Sequence, residues 1–137
     1  MMRKFIRRVC FFALLVAVVI SVVTSLPTWF GGHFGGYRLL IHMMASGLIV
    51  VTLPLYAILR WTDWLTEIPS GRAEPIAFWT MVVFGFLTIA SMFACMMPIA
   101  STETMRELID LHGWLGTVMA IAVVANLLMF RRKPKPS

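Results

Sequence analysis

Four long apolar stretches dominate the 137-residue sequence and limit what it can fold into. They cover roughly residues 9–26, 39–59, 76–98 and 108–130. Each is close to the roughly 20 residues that a helix needs to cross a hydrocarbon core of about 30 Å. Unpaired main-chain groups are not tolerated in lipid, so such segments cross it as helices. The sequence therefore predicts an all-α protein, a four-transmembrane-helix bundle that forms one integral membrane domain over residues 1–137.

The placement of the basic residues predicts the orientation of this bundle. The chain is 60% apolar and only 13% charged, with a net charge of +6. Its basic residues cluster before the first span and after the last one, and an excess of Lys and Arg marks the cytoplasmic side. Both termini are therefore expected in the cytoplasm. The clusters flank membrane spans, so they indicate contacts with lipid head groups and not with nucleic acid. They comprise Arg3, Lys4, Arg7 and Arg8, and Arg131, Arg132, Lys133 and Lys135.

Residues 1–26 also resemble a secretory signal peptide, with a basic start followed by an apolar core. The apolar run is longer than the usual signal core of about 7–15 residues, and no A-x-A-like cleavage site follows it. We therefore expect a retained first helix. Two local signals mark helix ends: the paired glycines within residues 31–36, which favour tight turns, and Ser101, a residue suited to the N-cap of the fourth helix.

Two histidines lie a few residues inside apolar segments, His42 in the second and His112 in the fourth. Both segments run inward from the outer face, so the two imidazoles are expected at similar depth. A histidine inside a membrane is costly and suggests a functional site. The pair is typical of two axial ligands to the iron of one haem b. His33 lies in an interfacial loop and is expected to be solvated or to contact a propionate, not to ligate iron.

The residues around each histidine fit a bound porphyrin. Ser46 and Gly116 lie one helical turn inward from the two histidines, and Gly113 adds space at backbone level. A large side chain at these positions would collide with the ring. Arg38 and Arg106 lie toward the outer face, where a guanidinium can pair with a haem propionate in a bidentate manner.

Other interpretations of the same residues remain open. Either histidine could instead bond to a carbonyl or hydroxyl of a neighbouring helix, as in a cofactor-free structural subunit of a larger complex. A zinc site would need more ligands, and Asp110 is the only acidic candidate nearby. A transporter or channel is disfavoured because no charged residue lies at mid-depth and no pair of broken helices is evident. No internal repeat is apparent in the sequence.

The turns around the two histidines, YRLLIHMMASGL and LIDLHGWLGTVM, resemble the ligand turns of small four-helix b-type cytochromes. These include the cytochrome b membrane subunits of formate dehydrogenases and hydrogenases, and related prokaryotic di-haem cytochromes b. The resemblance implies electron transfer between a quinone pool and a periplasmic redox partner. It also implies association with other membrane or periplasmic redox subunits, and no substrate transformation by this chain alone.

The sequence departs from the di-haem families at the positions of their second haem. In several of these families an inner ligand follows the outer one by about four helical turns on the same helix. Fourteen residues after His42 comes Tyr56, and fourteen after His112 comes Asn126. Neither is a histidine, so we expect one haem near the outer face and no inner haem. One haem at this depth cannot by itself relay electrons across the whole membrane.

Overall fold

The computed structural model describes residues 2–32, 35–65, 72–97 and 101–131, and these ranges contain α-helices and no strand. The prediction of four helices is confirmed. Three of them extend beyond both ends of the apolar stretch that predicted them, whereas the third begins before its stretch and ends at Met96. His33 and the basic residues Arg132, Lys133 and Lys135 lie outside the described residues. The helices are α1 (Met2–Trp29), α2 (Tyr37–Trp64), α3 (Ala73–Met96) and α4 (Thr102–Arg131).

All four helices are long and apolar enough to cross a membrane. The chain is therefore a multi-pass membrane protein by length and composition. The cytoplasmic position of the termini stays a prediction from the basic residues at the two ends of the chain.

The chain divides into two compact units, Met1–Ile68 and Pro69–Ser137. In the first unit α1 packs against α2, and in the second α3 packs against α4. Contacts join the start of one helix to the end of the other, so each unit is an antiparallel helical hairpin.

The first hairpin has a buried apolar seam and an ion pair near the start of α1. Leu14 of α1 and Leu53 of α2 are fully buried, and the ring centroids of Phe11 and Tyr56 lie 5.3 Å apart. Arg7 forms an ion pair with Asp63. These contacts hold the two helices together over most of their length.

The second hairpin combines apolar packing with a polar cross-link. Phe78, Met81 and Val123 are almost completely buried in it. The Asn126 amide on α4 donates to the main-chain carbonyl of Ala77 on α3 at 2.8 Å, and also to its own helix. A side-chain bond of this kind satisfies a polar group that would otherwise face apolar surroundings.

We expect the Asn126→Leu substitution to destabilise the second hairpin modestly. Interhelical hydrogen bonds in membranes contribute about 0.6 kcal/mol on average and at most about 1.7 kcal/mol. The thermal midpoint of the protein in detergent, followed by circular dichroism, should therefore fall by a few degrees. The control is Thr52→Val, which removes a hydroxyl that bonds only within its own helix. A midpoint for Asn126→Leu at or above that of the control would show that the cross-link contributes nothing.

Glycine is required where α1 ends, as the sequence predicts. Gly31 has a φ of 76°, a left-handed conformation that other residues rarely adopt. The Gly32 amide donates to the Pro27 carbonyl at 2.8 Å, and a Cβ atom on Gly32 would lie 2.8 Å from that same oxygen. The N-cap prediction for α4 is also confirmed, since the Ser101 hydroxyl accepts the Thr104 amide at 3.2 Å.

Candidate functional site

His42 lies near the start of α2, and its imidazole ring faces α1. Its Nδ1 atom is 3.0 Å from the Thr24 hydroxyl and 3.2 Å from the main-chain carbonyl oxygen of Ser21. Thr24 is buried and the histidine is half-buried. The first hairpin therefore holds this imidazole by one edge, through a hydroxyl and a carbonyl of the neighbouring helix.

His112 has the same surroundings in the second hairpin. Its Nδ1 atom lies 3.1 Å from the Ser91 hydroxyl and 3.1 Å from the Thr88 carbonyl oxygen, both on α3. Ser91 is buried and His112 is half-buried. In both units the hydroxyl comes three residues after the carbonyl, so the two groups lie on one face of the helix.

These contacts assign the proton on each ring. A carbonyl oxygen only accepts hydrogen bonds, so the Nδ1 atom that faces it must carry the hydrogen. The hydroxyls agree with this assignment, because each already donates to its own helix: Thr24 to Ile20 at 2.8 Å and Ser91 to Thr88 at 2.8 Å. Both neutral histidines are thus Nδ1–H tautomers, which carry the ring lone pair on Nε2.

The two hairpins repeat each other beyond the histidines, although the sequence shows no obvious repeat. Counted back along the sequence from Thr24 and Ser91, buried residues lie at the same distances in the two hairpins. The same is true when residues are counted forward from His42 and His112. Only the first pair given below has the same residue type, so the two hairpins share the positions of their buried residues and not their sequence. The pairs are Phe11 and Phe78, Leu14 and Met81, Ile49 and Met119, and Leu53 and Val123.

The small residues near the histidines differ in their surroundings. A Cβ atom on Gly116 would lie 3.7 Å from the Thr88 side chain, so this glycine packs on α3. Nothing lies within 4 Å of the Cβ position of Gly113, which opens into space. Ser46 is half-buried, and Arg38 and Arg106 are exposed. Gly113 thus leaves space beside His112. Gly116 instead allows α4 to pack closely against α3.

Each hairpin supplies one imidazole as a candidate metal ligand. Among the described residues, no three His, Cys, Asp or Glu side chains lie close enough together to hold a metal ion. Structural zinc takes four ligands, whereas a haem needs only axial ligands from the protein. A histidine that binds metal through one ring nitrogen almost always donates its other N–H to a nearby acceptor. Both histidines already make that second bond.

The residues at the predicted inner positions have other partners. Tyr56 is buried in the first hairpin beside Phe11. The Asn126 amide is engaged with main-chain carbonyls of α3 and α4. Both side chains therefore serve the packing of their own hairpins.

Thr24 and Ser91 are functional candidates that the sequence alone did not reveal. From sequence, α1 shows no chemistry, and Ser91 suggests only a close helix contact. The sequence does contain, in each of two apolar helices, a pair of hydroxyl residues three positions apart: Ser21 with Thr24, and Thr88 with Ser91. Such pairs usually bond to their own helix, so the pattern alone does not point to a histidine.

No family model, curated protein or solved structure matches this chain. Its function must therefore be argued from its own residues.

Proposed function

We propose that this chain is a membrane-bound b-type cytochrome subunit in which His42 and His112 are the axial ligands of one haem. The observation that carries the proposal is the identical hydrogen bonding of the two rings through Nδ1. This bonding sets the tautomer that a metal-bound histidine adopts and raises the basicity of Nε2.

The remaining predicted residues would hold and enclose the group. Arg38 lies one helical turn before His42 and is the better placed of the two arginines for a propionate; Arg106 is the second candidate. Ser46, Gly113 and Gly116 would leave room for the ring. When bound, the haem supplies one-electron transfer. The protein's part is to hold the ligands, fix the orientation of their rings and exclude water.

The proposed partners follow from a single haem near the outer face. Tyr56 and Asn126 leave no inner ligand, so electrons would enter and leave on one side of the membrane. The chain would pass electrons between a quinone pool and a periplasmic redox partner, within a complex of other membrane or periplasmic redox subunits. The proposed location is the bacterial inner membrane, with both termini in the cytoplasm.

A cofactor-free structural subunit is the second candidate. One observation favours it: the hydroxyl and carbonyl of the neighbouring helix already provide each Nδ1 atom with a partner inside its own hairpin. Such bonds occur between membrane helices that bind no cofactor.

The visible spectrum of the purified full chain separates the two candidates. We expect the dithionite-reduced minus oxidised spectrum of a low-spin b-type haem, and a pyridine haemochrome assay that gives one haem per chain. Two haems per chain would show that the ligand assignment is wrong. No haem in a preparation shown to be intact, purified from cells with sufficient haem, would favour the structural subunit.

A further inference from the structure

We infer that Thr24 and Ser91 are positioning residues that hold His42 and His112 in the Nδ1–H tautomer, ready to bind metal through Nε2. Each acts within its own hairpin, Thr24 from α1 and Ser91 from α3. The inference rests on the proposed function where it concerns haem, but the effect on the rings is a property of the polypeptide itself.

The hydroxyl is the acceptor with capacity for the ring. A carbonyl oxygen has two lone pairs, and inside a helix one of them receives the main-chain amide four residues later. The Thr88 carbonyl also receives the Ser91 hydroxyl at 2.8 Å, and the Ser21 carbonyl lies 3.0 Å from the Thr24 hydroxyl. The Thr88 carbonyl is therefore fully used. The Thr24 hydrogen is closer to the Ile20 carbonyl, so the Ser21 carbonyl and the Thr24 oxygen share the Nδ1–H of His42. The Thr24 and Ser91 oxygens keep their own lone pairs for Nδ1–H.

Neither of the neighbouring hydroxyls, those of Ser21 and Thr88, replaces Thr24 or Ser91 as the hydroxyl partner of Nδ1. The Ser21 hydroxyl is buried but bonds to no described residue, so that residue acts on His42 through its main chain alone. The Thr88 hydroxyl donates to Phe84 of its own helix at 2.7 Å. The hydroxyl at each Nδ1 atom thus comes from one side chain, which can be removed while the main-chain carbonyl stays.

Loss of the hydroxyl should affect the ring in two ways. Of its two described contacts, Nδ1 keeps only the one to the carbonyl, so the ring is less restrained in rotation and tautomer. Nδ1–H also loses its better acceptor, so Nε2 becomes less basic. A less basic ligand stabilises ferric iron less, and the haem midpoint potential should therefore move to a more positive value. The two sites lie in separate hairpins, so each substitution should affect only its own histidine.

The test uses the full chain in lipid bilayers, first without haem. Isotopically labelled histidine and solid-state NMR report directly which ring nitrogen carries the hydrogen. The variants are Thr24→Val and Ser91→Ala, with Thr24→Ser and Ser91→Thr to restore a hydroxyl. The controls are Thr28→Val and Ser25→Ala, whose hydroxyls donate only to main-chain carbonyls of α1 at 2.7 and 2.9 Å. Circular dichroism confirms that each variant is helical.

We expect Nδ1–H signals for both His42 and His112 in the unsubstituted protein. Thr24→Val should change the His42 signals alone, and Ser91→Ala those of His112 alone, while the restoring variants and the controls keep the original signals. In haem-loaded protein the same two variants should raise the midpoint potential and weaken haem binding by about 10- to 100-fold. If Thr24→Val alone fails to fold, Thr24→Ala and the Ser91 variants carry the same test.

The outcomes distinguish the inference from the proposed function. Unchanged ring signals in both variants would overturn the positioning role, whether or not the protein binds haem. Changed ring signals in a protein that never takes up haem would support the positioning role and overturn the cytochrome proposal. Changed signals with an unchanged midpoint potential would overturn the part of the inference that concerns haem.

Discussion

Replacing either His42 or His112 with alanine is expected to abolish the low-spin haem spectrum. Under the proposed function each substitution removes one of two axial ligands, and a six-coordinate low-spin iron cannot form with only one. The reduced minus oxidised spectrum of the purified variants should lose its sharp b-type bands, and the haem content should fall well below one per chain. This is the largest effect that the proposed function predicts.

The control for these variants is His33→Ala, which changes the remaining histidine. Because His33 is predicted not to ligate iron, its variant should keep the low-spin bands. A normal b-type spectrum in both His42→Ala and His112→Ala would refute the ligand assignment. A spectrum lost only in His33→Ala would assign a ligand to the loop between the first two helices.

The second large effect is expected at Gly113. Its Cβ position has nothing within 4 Å in the folded chain, so a larger side chain there would not disturb the second hairpin. If the haem lies beside His112, the Gly113→Leu side chain would occupy space that the porphyrin needs. We therefore expect helical, stable protein with greatly reduced haem content, measured by pyridine haemochrome against protein concentration.

Two further variants make this result specific. Gly113→Ala adds only a methyl group and should keep most of the haem. It should also favour the helix, since glycine is about 1 kcal/mol less favourable than alanine in a helix interior. Val124→Leu adds bulk at an exposed position of the same helix, and this variant should keep its full haem content. Full haem content in Gly113→Leu would exclude the porphyrin from this face of α4, whereas a misfolded variant would contradict the open surroundings of Gly113.

Three of these variants, His42→Ala, His112→Ala and Gly113→Leu, would also test the structural-subunit alternative. A cofactor-free protein predicts that the histidine substitutions weaken the hairpins, because the buried Thr24 and Ser91 hydroxyls lose a partner. It predicts no effect of Gly113→Leu on haem content, and little effect on stability, since nothing lies within 4 Å of the Cβ position of Gly113. Stability and haem content measured together therefore distinguish a ligand from a packing histidine.

Much of the fold could be predicted from the sequence. The length of the apolar stretches requires four helices, because lipid offers no partners for unpaired main-chain groups. Glycines predict the turn after α1, and Ser101 predicts the start of α4. The two histidines and the absence of ligands at Tyr56 and Asn126 can be read directly. Each of these is a local property, expressed by the identity or the spacing of residues along one segment.

The contacts between helices could not be predicted in this way. Whether Thr24 or Ser25 faces His42 depends on the rotation of α1 about its axis and on its register against α2. Because α1 is almost uniformly apolar, its hydropathy pattern predicts neither the rotation nor the register. The repeat of the two hairpins is hidden for the same reason, since Leu14 and Met81 fill equivalent buried positions without being identical. Only tertiary structure decides that Nδ1 of each histidine meets a hydroxyl and a carbonyl, and hence where the lone pair lies. Packing between residues that are distant in sequence determines these contacts, and no pattern along a single helix predicts them.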